Sequence, residues 1–149
     1  MQDRIEKSIE LKATIARVWR ALTDHEEFGK WFRVQLDGPF VVGEVCRGRT
    51  TFPGYAGLKW EVTVVRMEAQ RVFAFEWCPY EHDDKRDHSN APKTLVEFRL
   101  EPSANGTRVL ISESGFSRLP NDKRRFNALR SNSEGWALQA SHLAAYVET

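Results

Sequence analysis

Thr107-Arg108-Val109-Leu110-Ile111-Ser112-Glu113-Ser114 places Val109, Ile111 and Glu113 on one side of an extended chain, because successive side chains of a strand alternate. A few residues later the period changes. From about Pro120 onward, Phe126, Leu129, Trp136, Ala140, Leu143 and Val147 recur at spacings of 3, 7, 4, 3 and 4, which is the stripe of one long helix. A helix with a single apolar stripe needs a partner surface, and the alternating strands before it supply an apolar sheet face. Ser133 interrupts the stripe one turn before Trp136, and Gly135 weakens the helix beside it, so a bend is expected there.

Upstream, segments of strand character fill the middle of the chain: Phe40–Thr51, Lys59–Met67, Val72–Trp77 and Thr94–Glu101, with Thr107–Ser114 completing the series. Glu68-Ala69-Gln70 and the stretch Pro102 to Gly106 are short joints rich in turn residues, so the segments read as an antiparallel meander. Gly43 and Gly48 read as bends or bulges. Two joints are longer: Phe52–Leu58, with Pro53, Gly54 and Gly57, and Cys78–Pro92, which is dense in charge and is expected to be the mobile one. At the start, Ile5, Ile9 and Leu11 alternate with Glu6, Ser8 and Glu10 as in a half-buried strand over Arg4 to Leu11. Ile15, Val18, Trp19 and Leu22 then mark a short helix from near Thr14. A second short helix follows, with Asp24 as N-cap, Glu27 in capping-box position, and Phe28, Trp31 and Phe32 as its apolar side.

The length of 149 residues argues for a single domain over residues 1–149, and 41% hydrophobic with 29% charged residues describes a soluble globular chain. No apolar run approaches the about 20 residues of a membrane helix, and Met1-Gln2-Asp3-Arg4-Ile5-Glu6 lacks the apolar stretch of a signal peptide, so a cytoplasmic location is expected. A net charge of +1 supplies no field for a polyanion, so neither nucleic acid nor membrane is an expected partner. Cys46 and Cys78 have no second Cys or His at ligand spacing and read as buried thiols rather than a disulfide. Glu81-His82-Asp83-Asp84 with Asp87-His88 has metal-capable side chains at a spacing that fits no specific site, so no metal and no cofactor are expected. Ser112, Ser114 and Ser117 lack a nucleophile-elbow context, and no phosphate-binding glycine loop occurs.

Strand, two short helices, five further antiparallel strands and a long C-terminal helix is the order of the helix-grip fold: an α+β arrangement in which a curved antiparallel sheet of about six strands wraps the last helix. The residues Ile5-Glu6-Lys7-Ser8-Ile9-Glu10-Leu11, Val18-Trp19-Arg20-Ala21-Leu22-Thr23-Asp24 and Trp31-Phe32 resemble the opening of the homologues of the heat-shock protein 90 ATPase activator, in the SRPBCC (START-like) superfamily. Val96-Glu97-Phe98-Arg99-Leu100, Gly106-Thr107-Arg108, Glu113-Ser114-Gly115-Phe116 and Gly135-Trp136 resemble its later signatures. The resemblance implies a cavity between sheet and helix suited to a small apolar or amphipathic molecule, and carries no general catalytic motif. It leaves a homodimer open, and implies no chaperone partner without a second domain. Ala140 stands where similar sequences often have a larger aliphatic residue.

On the face toward the long helix, alternation gathers Trp60, Val62 and Val64, then Phe73, Phe75 and Trp77, then Val96, Phe98 and Leu100. These serve either as plain core or, toward the open end, as pocket lining. The candidate ligand-binding residues are Trp60, Val62, Phe75, Trp77, Phe98, Ile111, Glu113, Ser133, Trp136 and Ala140, with no catalytic residue assigned. Glu113 continues an apolar series, so if it faces inward it loses hydration and needs donors or a cation, for which Trp60, Trp77 and Arg47 are candidates. Arg47 and Arg49 suit either an anion or a solvated outer face. His25 and His142 read as ordinary surface positions. The expected function is a stand-alone small-molecule-binding domain. Its rivals are an aromatase/cyclase- or hydratase-like enzyme acting through Glu113, and a co-chaperone-like interaction module.

Overall fold

The computed structural model of the chain describes residues 3–54, 56–79, 92–121 and 123–148. Its elements are β1 (Arg4–Leu11), α1 (Ile15–Thr23), α2 (His25–Phe32), β2 (Val34–Leu36), β3 (Val45–Thr50), β4 (Lys59–Glu68), β5 (Val72–Trp77), β6 (Thr94–Ser103), β7 (Gly106–Ser114), a 3-10 turn (Phe116–Arg118) and α3 (Lys123–Val147). The seven strands form one antiparallel sheet in the order β1-β7-β6-β5-β4-β3-β2, and α3 packs with β1, α1 and α2. This is the α+β helix-grip arrangement. Among the described residues no helix is long and apolar enough to cross a membrane.

Local chemistry explains the short helices. The Thr14 hydroxyl accepts the Arg17 backbone N–H at 3.2 Å to cap α1, and the Asp24 carboxylate accepts those of Glu26 and Glu27 to cap α2. Glu27 does not reach back to close a capping box. It lies 2.6 Å from Arg17 and 2.9 Å from Arg20, and accepts the Tyr146 hydroxyl of α3 at 2.9 Å. Two guanidinium groups and a phenol outcompete one backbone N–H. Arg33 ends α2 in the left-handed region at φ 71° and turns the chain into β2.

The sheet departs from the sequence reading in four places. The expected strand Phe40–Thr51 begins only at Val45, because Gly43 takes φ 87° and turns the chain, while its N–H still donates to the Val64 carbonyl at 2.8 Å. β2 is an additional strand whose three residues are too few to display alternation. Gly48 is neither bend nor bulge: it pairs with Trp60 in regular register, and a Cβ there would stand 2.3 Å from the Gln35 carbonyl oxygen. The missing side chain lets β2 lie against β3. The bulge falls instead between Val64 and Arg66 on β4.

α3 runs unbroken through Ser133 and Gly135. Its buried stripe is Arg125, Ala128, Trp136, Ala140, Leu143 and Val147, while Phe126 stands 54% exposed and Leu129 is half-buried. The first turn is therefore rotated from the expected phase. The cause is Arg125, whose Nε donates to the Phe116 carbonyl at 2.9 Å in a buried position. Cys46 is buried, Cys78 is half-buried, and both are free. The cluster Glu81 to His88 and most of the joint Cys78–Pro92 lie outside the described residues.

Candidate functional site

Alternation on β7 holds without a break. Glu113 pairs with Ile5 on β1 and Val96 on β6, so its side chain follows Val109 and Ile111 toward α3, where it is fully buried. Oε1 accepts the indole N–H of Trp136 at 2.9 Å and the Asn132 amide at 3.1 Å. Oε2 accepts the Trp77 indole N–H at 2.9 Å, the Thr94 hydroxyl at 2.6 Å and the Asn132 amide at 3.2 Å. Two indoles, an amide and a hydroxyl thus replace the water a carboxylate loses on burial. Indole and amide N–H groups can only donate, so the nest is complementary to a carboxylate, which can only accept.

Of the donors named from sequence, Trp77 alone reaches Glu113. Arg47 is on the outer face beside Glu61 at 3.2 Å, and its neighbour Arg49 donates to the Gly57 carbonyl, so the pair forms no inward anion site. Trp60 is 2% exposed, yet among the described residues its Nε1 has no hydrogen-bond partner. Thr94, Asn132 and Trp136 complete the nest. Asn132 sits four residues before Trp136 on α3, a spacing that puts both on one helix face and that the sequence displays.

The two indoles on Glu113 also form a wall. Trp77 and Trp136 stack at 5.5 Å between centroids and 29° between planes, and with Phe32, Asn132, Gly135, Leu138 and Gln139 they line a cleft of about 170 Å³. Phe32, the last residue of α2, is half-buried with its ring 6.0 Å from Trp136, 6.4 Å from Trp77 and 5.5 Å from Trp60. Its carbonyl accepts the Gln139 amide at 2.9 Å, which ties the end of α2 to α3. The Gln139 oxygen is left facing His142 Nδ1 at 2.9 Å. Burial, and next the nearby Arg33 charge, hold the His142 imidazole below its ordinary pKa, so His142 is not a plain surface histidine. Among the described residues no group of His, Cys, Asp and Glu is placed to hold a metal.

The remaining residues picked out from sequence sit elsewhere. Trp60, Val62, Phe75, Phe98 and Ile111 are buried in a continuous aromatic and aliphatic core, with Phe75 6.0 Å from Trp60 and 6.1 Å from Phe98. Ala140 is buried in the same cluster, and Ser133 is half-buried next to Asn132. None of these lines the cleft between Phe32 and Leu138. Phe32, Asn132, Gly135, Leu138 and Gln139 are the cleft residues absent from the candidates read from sequence, where Phe32 stood only as the apolar side of a short helix and Gly135 only as a helix-weakening position.

Solved structures share this fold. Protein MLL2253 from Mesorhizobium loti is 20% identical with a TM-score of 0.75, covering 96% of this chain and 95% of that one. The Aha1 dimer from Colwellia psychrerythraea is 22% identical with a TM-score of 0.72, covering 99% and 97%. DynU16, a putative protein of the dynemicin biosynthetic locus, is 21% identical with a TM-score of 0.75, and this chain spans 48% of its length. At these identities the likeness establishes the fold alone. Comparison with curated proteins finds no significant match. The family model described as Activator of Hsp90 ATPase homolog 1-like protein matches residues 12–148, and the chain belongs to that family, within the SRPBCC (START-like) superfamily.

Proposed function

We propose that the chain is a binding domain for a small apolar or amphipathic molecule, held at the cleft between the Trp77–Trp136 wall and Phe32. The observation that carries this reading is Gly135. A glycine inside a helix costs about 1 kcal/mol relative to alanine. Among the described residues a Cβ at Gly135 would meet nothing within 4 Å, so packing against them does not require the glycine. Its visible consequence is room in the cleft that it lines. The wall chemistry points the same way, because the indole N–H groups of Trp77 and Trp136 are both committed to Glu113, which leaves their apolar rings to the cleft. Glu113 itself is sealed and saturated with donors, so the reading gives it the task of holding the wall rather than of transferring protons to a substrate.

The test uses two substitutions at one position. Gly135→Ala should raise the unfolding free energy by about 1 kcal/mol, while Gly135→Leu should fill the cleft without unfolding the helix. Native mass spectrometry of gently purified protein should show a released small molecule for the wild type and none for Gly135→Leu. Apolar naphthalene probes should bind the wild type saturably and the leucine variant at least ~10-fold more weakly. Equal binding by both proteins overturns the reading.

A protein-interaction role has one observation behind it: Val41, Val42, Val45 and Val65 are 38–52% exposed near the Gly43 turn. Under that reading Val42→Glu would abolish partner binding and Gly135→Leu would leave it intact.

A further inference from the structure

Trp60 carries a buried donor that the fold does not use. Trp60 is 2% exposed, and its Nε1 has no acceptor among the described residues. Burying an N–H without a partner is a stability loss that native cores avoid, and Trp31 shows the ordinary solution, donating its own Nε1 to the Ala21 carbonyl at 2.8 Å. Phenylalanine at position 60 would keep an aromatic ring and remove the orphan.

The position of Trp60 gives that donor a use. Its ring lies 5.5 Å from Phe32 and 6.2 Å from Trp77, two residues that line the cleft. The amide donors there are already engaged. Asn132 donates to Glu113 and to the Pro79 carbonyl, and Gln139 donates to the Phe32 carbonyl. The cleft of about 170 Å³ is also smaller than the roughly 300 Å³ at the low end of ordinary ligand pockets. Moving the half-buried Phe32 side chain, at the last residue of α2 before the left-handed Arg33, would join the cleft to Trp60.

We propose that the ligand is a planar apolar molecule bearing a neutral hydrogen-bond acceptor, such as a ketone or ester carbonyl, which takes the Trp60 indole N–H once Phe32 swings aside. This rests on the cleft reading above and adds the ligand's polar end. A neutral acceptor fits better than an anion. One indole N–H cannot replace the hydration of a buried charge, and the buried ionisable group that Trp77 of the wall holds, Glu113, is an acid.

The experiment titrates two matched probes, 2-acetylnaphthalene and 2-ethylnaphthalene, which differ in the carbonyl. Wild-type protein should bind the ketone at least ~10-fold more tightly, and Trp60→Phe should bring that ratio to about one. In parallel, the 15N-labelled wild type reports directly: the Trp60 indole N–H resonance, assigned through β4, should move downfield with the ketone and stay in place with the alkyl probe. The second measurement stands whether or not Trp60→Phe folds. Phe32→Ala should speed association of both probes. Equal affinity for the two probes with an unmoved Trp60 resonance overturns the Trp60 inference and leaves the cleft reading standing. Failure of both probes to bind at all overturns the cleft reading, and the inference with it.

Discussion

At the scale of single residues, Glu113 holds the centre of the molecule because it can only accept and its neighbours can only, or mainly, donate. Glutamine tests this with almost no change of shape. It offers one acceptor oxygen, and whichever way the amide turns, its NH2 faces an indole N–H, that of Trp136 at the Oε1 position or that of Trp77 at the Oε2 position. Glu113→Gln should therefore lower the unfolding free energy by about 1–3 kcal/mol for the stranded donor, read as a lower urea midpoint with an unchanged m-value. An unchanged midpoint would mean the nest adds nothing to stability. The direction of Glu113 was legible in the sequence, since Val109, Ile111 and Glu113 keep one parity and no bulge interrupts β7. Its partners were only partly so. Thr94 meets Glu113 because it sits opposite Trp77 in the β5–β6 register, and the long joint between those strands hides that register from any local pattern. Arg47 was a plausible cation by residue type, but its parity on β3 puts it outside with Glu61.

At the scale of elements, the three helices are tied at Glu27. Arg17 and Arg20 of α1 and Tyr146 of α3 all converge on this one carboxylate of α2. Burial alone would raise its pKa, but the hydrogen bonds from Arg17 and Tyr146 and the charges of Arg17 and Arg20 outweigh that and hold it below the ordinary 4.5. The unfolded chain therefore takes up this proton at higher pH than the native protein does. The resulting stability is present above 4.5 and is lost as pH falls through the lower native value. Unfolding free energy plotted against pH should decline less steeply in that acid range for Glu27→Gln than for the wild type; parallel curves would contradict the assignment. The sequence placed Glu27 at the start of α2 but not its partners, which come from helices before and after it. The phase of α3 was misread for a related reason. Leu129 and Trp136 stand seven positions apart in the apolar series, a gap wide enough to hide a rotation of the first turn. The apolar Phe126 then drew the stripe away from Arg125, whose burial depends on the distant Phe116 carbonyl.

At the scale of the whole molecule, the sheet order explains why the fold could be read at all. From β3 to β7 each strand pairs with the next in the chain, so short turns and alternation suffice to trace it. Closing β1 onto β7 and laying α3 across the inner face are long-range steps, and they create what no local pattern encodes: the Glu113 nest and the narrow cleft beside it. Both depend on α3. Ending the chain after Leu119 would strip Trp136, Ala140, Leu143 and Val147 from the core and take two of the donors, Asn132 and Trp136, away from Glu113. Truncating one buried Trp or Leu to alanine costs about 2–5 kcal/mol, while a whole domain of this kind is stable by only about 5–15 kcal/mol. Loss of Trp136 and Leu143 together already approaches that total before the unmet carboxylate is counted. The truncated chain should therefore show no cooperative denaturant transition and should bind apolar dyes through its uncovered sheet. A sigmoidal transition with a native-like midpoint would mean that the sheet holds its own core and that α3 is an accessory. The grip of sheet on helix would then not be what makes either the fold or the cleft.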